Sequence, residues 1–219
     1  MNKKVGVSIA RSLLFRYTKG SVSTLEEGDV VSRLWLTGYR SYELGVFGDQ
    51  DPKLLVIKET LKKLLIDKIE NGTDWLITGG QLGVEQWAAE VGVSLKADYP
   101  ELNVAMMTPF ADFGHNWNET NQAKYLQIAS RVDFHQSVSA QPYHGPQQLR
   151  NYQEFMLSHT DEAVLVYDLE APGKPKYDYQ AIDRFQERHS YPLTLIDMDW
   201  LQESANEYQE NLKNSSQFD

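Results

Sequence analysis

The chain contains no cysteine. That excludes disulfides, thiolate metal sites, iron–sulfur clusters and a cysteine nucleophile, and it fits a reducing compartment such as the cytoplasm. No apolar run approaches the ~18 residues that a membrane-spanning helix needs. Positive charge is scarce: 21 Lys and Arg stand against 31 Asp and Glu, a net charge of −10. A balance this acidic argues against nucleic acid and against anionic membranes as partners. His115, His135, His144, His159 and His189 form no i,i+4 pair and no H-E-x-x-H, so no metal site is expected. A G-x-S-x-G elbow is missing too. What remains is ordinary globular material: 219 residues, 41% hydrophobic and 24% charged, with no repeat and no Pro/Gly-rich linker. That allows one large domain or two small ones.

Residues 1–32 read differently from the rest. Lys3, Lys4, Arg11, Arg16 and Lys19 stand against Glu26, Glu27 and Asp29, a net of +2, which leaves −12 on the remainder. Arg11 and Arg16 interrupt the apolar run a secretory signal would need, and no small-residue cleavage site follows. The segment is expected to be a poorly ordered extension. A second reading makes it an artefact of the chosen start codon. Glu26-Glu27-Gly28-Asp29 can be written in purine-rich codons ahead of a GTG start at Val30 or Val31. Upstream DNA that is not purine-rich would refute this. No function is placed in the segment.

From Arg33 onward, strand and helix signals alternate. Arg33–Thr37, Trp75–Thr78, Val104–Thr108, Ala163–Tyr167 and Leu193–Ile196 are short apolar runs, and Val132–Phe134 is a shorter one. Pro109 is expected to cut the third run. Asp51-Pro52 starts a helix, as N-cap and first helical residue, and Asn71-Gly72 ends it. Further helices are expected around Val84–Leu95, over 118–130 on an Ala123, Leu126, Ala129 face, from Pro146 on a Leu149, Tyr152, Met156 face, and through Tyr179, Ile182 and Phe185. Asp199 is expected to cap a last polar helix. Non-alternating apolar strands separated by helices mean a parallel sheet covered on both faces. The fold class is therefore α/β: a doubly wound, mostly parallel, Rossmann-like domain over 33–200, followed by a polar helix and tail over 201–219.

Ligands of such sheets sit beyond the C-terminal strand ends, near a switch in strand order. The residues there are Gly38-Tyr39-Arg40, the turn Gly79–Gly83, Pro109-Phe110 and the segment Asp168–Tyr177. Thr78-Gly79-Gly80-Gln81-Leu82-Gly83-Val84-Glu85 runs from strand through glycine turn to helix start. That suits a phosphate held on free N–H groups. It equally suits a tight turn that merely needs glycine.

These residues carry a resemblance. Thr78-Gly79-x-x-x-Gly83-Val84-Glu85-x-x-Ala88 resembles the S-G-x-x-x-G-[IV]-D-x-x-A segment of DNA-processing protein A, and so the SLOG superfamily that joins it to the LOG phosphoribohydrolases. Thr37–Phe47, Gly80–Glu90, Thr108-Pro109-Phe110 and Lys176-Tyr177 after Tyr167-Asp168 look like the YpsA family within it. The resemblance covers about 33–200 and implies a SLOG-type Rossmann fold with a pocket for a nucleotide-derived ligand. It also implies a link to bacterial cell division. LOG enzymes carry P-G-G-x-G-T-x-x-E. Here Thr78 precedes the glycines, the third glycine is displaced, and Glu85 lies one position closer. The basic face that DNA-processing proteins need is missing.

Residue by residue, two readings stand side by side. Arg40 is a bidentate phosphate or carboxylate contact, or an ion-pair partner of Glu43 or Asp49. Glu85 is a ribose-hydroxyl contact and, in an enzyme, the catalytic acid or base, or it merely complements the helix dipole. Tyr39, Tyr42 and Phe47 stack on a base or pack a loop. Trp87 reads as core rather than a base-stacking platform and Tyr152 as core, while Arg150 and Asn151 reach the pocket or Arg150 is a solvated helix charge. Lys174 and Lys176 close over a phosphate or belong to a plain loop, and Asp168 holds a ribose hydroxyl or caps a turn. Lys53, Lys58, Lys62, Lys63 and Lys68 read as a solvated helix face. The ligand-binding set is thus Gly38, Tyr39, Arg40, Gly79, Gly80, Gln81, Gly83, Glu85, Pro109, Asp168, Lys176 and Tyr177. Three functions follow. One is a cytoplasmic binding or sensor protein for an ADP-ribose-like or nucleoside-phosphate ligand, with no other cofactor. Another is a hydrolase of an N-glycosidic or phosphoribosyl bond. The third is an interaction module for a cell-division partner. A homodimer is a further expectation.

Overall fold

The computed structural model describes residues 32–215. The expected N-terminal extension therefore lies outside the described residues, apart from Ser32, which opens the first strand. Among the described residues, six strands alternate with six helices. In chain order these are β1 (Ser32–Gly38), α1 (Pro52–Glu70), β2 (Thr73–Thr78), α2 (Val84–Leu95), β3 (Asn103–Phe110) and α3 (Glu119–Ala129). Then come β4 (Phe134–Ser139), α4 (Pro146–His159), β5 (Glu162–Val166), α5 (Lys176–Gln186), β6 (Leu193–Ile196) and α6 (Met198–Ser215). Every pairing is parallel and the strand order is β4-β3-β2-β1-β5-β6. This is the doubly wound α/β arrangement that the apolar strands imply. No helix among the described residues is long and apolar enough to cross a membrane.

Strand alternation builds two cores. Leu34 and Leu36 of β1, Leu76 of β2, and Val104 and Met106 of β3 face α1, α2 and α3. Their neighbours Trp35, Trp75, Ile77, Ala105 and Met107 face α4 and α5. Helix α1 begins as expected, with the Asp51 side chain accepting from Lys53 N–H and Pro52 in the first turn. Its lysines are not merely solvated: Lys58 pairs with Glu90 at 2.6 Å and Lys63 with Glu207 of α6 at 2.8 Å.

Four expectations are corrected. Pro109 does not cut β3, which runs on to Phe110. Pairing with β2 ends at Met106, so beyond it the strand has β4 alone as neighbour and a residue without N–H is tolerated. Strand β4 lies over Phe134–Ser139 rather than 132–134. It is the sheet edge, where polar residues are tolerated: His135 and Gln136 are exposed. Helix α3 buries Tyr125 and Ile128 and leaves Leu126 exposed, because Tyr125 packs on Phe113, Trp117 and His135. Helix α6 is capped by Asp197, which accepts from Trp200 N–H at 2.8 Å, with Asp199 in the first turn.

The chain steps outward from β1 to β4, then returns to the other side of β1 with β5. The switch point lies between β1 and β5, and their C-terminal ends point to one crevice.

Candidate functional site

A cavity of about 480 Å³ opens beyond the C-terminal strand ends. Thr37, Gly38 and Arg40 reach it from the end of β1, Gln81 and Glu85 from the β2–α2 turn, and Pro109 and Phe113 from the end of β3. Its other wall comes from α4 and the start of α5: Leu149, Arg150, Tyr152 and Gln153, then Lys174, Tyr177 and Asp178.

The glycine turn is filled by protein. Gly83 has φ +113, and a Cβ there would stand 2.5 Å from Ser41 N and 2.6 Å from Tyr39 O. Only glycine allows that conformation and that approach. The approach is used: Val84 N–H donates to Tyr39 O at 3.1 Å and Ser41 N–H to Leu82 O at 3.3 Å, so the β1 and β2 loops are sewn together. At Gly79 a Cβ would lie 2.1 Å from Glu85 Oε2. Glu85 folds back into that space. Its Oε2 accepts Gln81 N–H at 2.8 Å and its Oε1 accepts the Thr37 hydroxyl at 2.7 Å. Leu82 N–H bonds the Gln81 side chain and Gln86 N–H the Gln81 carbonyl. Of the two readings of this turn, the geometry is that of the tight turn, with the chain's own carboxylate at the helix start.

The opposite wall is less satisfied. Asp178, in the first turn of α5, accepts from Gln153 Nε2 of α4 at 2.7 Å. The Tyr152 hydroxyl is buried and has no partner among the described residues. Arg40 makes no ion pair among the described residues. Its backbone N–H bonds Glu43 at 2.9 Å, while Asp49 pairs with Lys124 at 2.5 Å, so neither expected partner holds the guanidinium.

Electrostatics separate the two carboxyls. Both keep some surface because they face the cavity, but protein packs densely around them, and that packing governs their protons. Burial pushes Glu85 up, while Gln81 N–H, the Thr37 hydroxyl and Arg40 pull it back. Burial pushes Asp178 up to about 7, with the Gln153 amide opposing, Glu85 adding and Arg40 opposing. Glu85 has the richer set of donors, so of the two it is Asp178 that holds a proton near neutral pH. Burial, then Glu85 and Asp178, drive the Tyr152 phenol well above its ordinary range.

The cavity brings together Gly38, Arg40, Gln81, Glu85, Pro109 and Tyr177 of the expected set, with Lys174 beside them. The others lie outside its lining. Tyr39 is buried, and its hydroxyl donates to Ala171 O at 2.6 Å and accepts from Asp168 N–H at 3.0 Å, tying the β1 loop to the β5 loop. Asp168 accepts from Glu170 N–H at 2.7 Å and Met198 N–H at 3.2 Å, so it acts as a turn cap. Lys176 lies over the Tyr177 ring, 5.1 Å from its centre. Gly79, Gly80 and Gly83 make room for Glu85, Tyr125 and the β1 loop. Tyr42 and Phe47 are exposed and Trp87 is core. Asp178 and Gln153 of this lining carry no strand-end signal in the sequence, and the helical spacing of Tyr152 reads as core.

The family model described as the YspA SLOG family matches residues 34–201. The chain is 82% identical to a UPF0398 protein of Levilactobacillus brevis over 189 residues, 86% of this chain and 100% of that protein. It is 65% identical, with the same coverage, to a UPF0398 protein of Lactiplantibacillus plantarum. A UPF0398 protein of Leuconostoc citreum is 55% identical, again over 86% of this chain and 100% of its own length.

Proposed function

The chain belongs to the YspA SLOG family, and from that premise we propose that it binds a nucleotide-derived small ligand, of nucleoside-phosphate or ADP-ribose type, in the switch-point cavity. The observation that carries this reading is Arg40. In a chain of net charge −10, a guanidinium without an ion pair among the described residues lines the cavity at the end of β1. It is within electrostatic reach of Glu85 and Asp178. A ligand phosphate gives it a bidentate partner. Lys174 and Arg150 add positive charge, and Phe113 and Tyr177 offer flat apolar surface for a base. The volume is in the range of small-molecule sites.

A thermal-shift panel with AMP, ADP, ADP-ribose, NAD and nucleoside monophosphates tests the proposal, with Arg40→Ala beside the parent. A ligand at a hundred times its dissociation constant adds about 2.7 kcal/mol of stability, a rise of roughly 5–10 °C in a chain of this size. The expected result is a shift with one compound that the variant loses. No shift with any compound overturns the proposal.

A second reading has its own observation. Asp178 keeps a proton up to about 7 in the same cavity as Glu85. An acid and a base in one pocket are what hydrolysis of an N-glycosidic bond requires. Release of free base from the nucleoside monophosphates, lost in Glu85→Gln, is the expected sign of that activity. Its absence with a ligand that binds leaves a binding protein.

A further inference from the structure

The wall built by α4 and α5 holds chemistry that a phosphate on Arg40 does not use. Tyr152 is only 8% exposed, lines the cavity, and carries a buried hydroxyl with no partner among the described residues. Trp35 Nε1 also lacks a buried partner, but it lies in the core and does not line the cavity. A buried hydroxyl without a bond is costly and calls for an explanation. Asp178 has one oxygen on the Gln153 amide, and its other oxygen makes no bond among the described residues. Each Glu85 oxygen takes one bond and retains a lone pair.

Three groups on three helices therefore share one cavity: a phenol with nothing to donate to and two carboxyls with acceptor capacity. The phenol feels both carboxyls electrostatically. An anion does not fit beside Glu85, the carboxyl that keeps its charge, because the two repel. An apolar group would leave all three unsatisfied. A neutral sugar fits, because each hydroxyl both donates and accepts. Its O–H groups point at the carboxyl oxygens and an oxygen takes the phenol proton.

We infer that Tyr152, Asp178 and Glu85 form a receptor for a vicinal diol, so that the cavity takes ribose-containing ligands and rejects their deoxyribose counterparts. This rests on the nucleotide-derived ligand proposed above and specifies its sugar. Arg40 takes the phosphate end and the α4–α5 wall reads the hydroxyls. A site built to bond a hydroxyl discriminates strongly against the analogue that lacks it, because its own groups are then stranded.

Calorimetric titration of the full chain with AMP, ADP and ribose 5-phosphate, each beside its 2-deoxy form, tests this. The ribo forms are expected to bind about ten- to a hundredfold more tightly, as for bonds to charged groups. Tyr152→Phe removes one oxygen and keeps the shape. Asp178→Asn keeps the oxygen that Gln153 bonds. Each is expected to weaken the ribo forms by about tenfold or more and the deoxy forms by less than about twofold, shrinking the ratio. Circular dichroism checks that both variants fold. Equal binding of ribo and deoxy forms by the parent overturns the diol receptor and leaves the nucleotide pocket standing. A variant that weakens both sugars alike overturns it too, since that is the mark of a structural role. Binding of no probe at millimolar concentration overturns the pocket reading and this inference with it.

Discussion

The two sides of the cavity are built on opposite principles. The β2–α2 turn is closed on itself: glycine at 83 lets two loops bond, and glycine at 79 lets Glu85 turn back onto Gln81 N–H and Thr37. The α4–α5 wall is left open, with an unpartnered Tyr152 hydroxyl and an Asp178 that burial drives up to about 7. The first side spends its polar groups on the fold. The second holds polar groups that the fold does not satisfy, and such groups are where a ligand gains most. A glycine-rich turn at a strand end is therefore not by itself a ligand cradle. What matters is which atoms fill the space the missing side chains leave.

The largest test of this contrast is Gly83→Ala. The new Cβ meets three backbone atoms of 39–41 within 2.7 Å at a φ of +113. Strain and overpacking add, and the expected loss is about 3–5 kcal/mol in urea unfolding. Gly72 is the control. Its φ is +100 with nothing within 4 Å, so Gly72→Ala carries strain alone and is expected to lose about 1 kcal/mol. Equal losses at the two positions would show that the sewn loops contribute nothing to the closed side.

The open side is probed next by Asp178→Asn across pH. An unfolded aspartate titrates near ~3.9, while the folded carboxyl holds its proton up to about 7. Between those values the native state binds more protons than the unfolded state, so this group makes stability fall as pH rises. The groups facing it are Glu85 from α2, Arg40 from the β1 loop, and Gln153 and Tyr152 from α4. Glu85 is raised by burial as well and slopes the same way. Allowing for solvent in the cavity, the variant is expected to gain about 2–3 kcal/mol over the parent at pH 8 and little at pH 5. A gain independent of pH would place the effect in packing rather than in the proton.

The same contrast explains what the sequence made legible. Strands β1, β2, β3 and β5 are buried on both faces, so they read as plain apolar runs with glycine or a polar turn behind them. Strand β4 is polar because it is the edge, and only its first residue falls in the apolar run at 132–134. Helix α3 turns a different face inward from the Ala123, Leu126, Ala129 one, because Tyr125 joins an aromatic group around Trp117 and His135 that no helical period reveals. At the site, strand-end logic reaches Arg40 and Glu85, which sit directly behind β1 and β2. Asp178 escapes it by one position, since the expected segment behind β5 ends at Tyr177. Tyr152 shares a helical face with Met156 and so reads as core. Its ring belongs to the second core while the residue also lines the cavity, and periodicity carries no information about which hydroxyl is left without a bond.

Tyr152→Phe gives the smallest effect and the sharpest sign. Removal of a buried hydroxyl ordinarily costs stability, because a bond is lost with it. Here the hydroxyl has no bond to lose among the described residues, and the ring keeps its place with Phe155, Met156 and Ile77 in the second core. The desolvation cost disappears instead, so the unliganded variant is expected to gain about 1 kcal/mol, or 2–4 °C. Cavity water that bonds the hydroxyl reduces the gain toward zero without reversing it. A loss of 1 kcal/mol or more would mean that the hydroxyl is held within the protein, and the wall would then be as closed as the turn it faces.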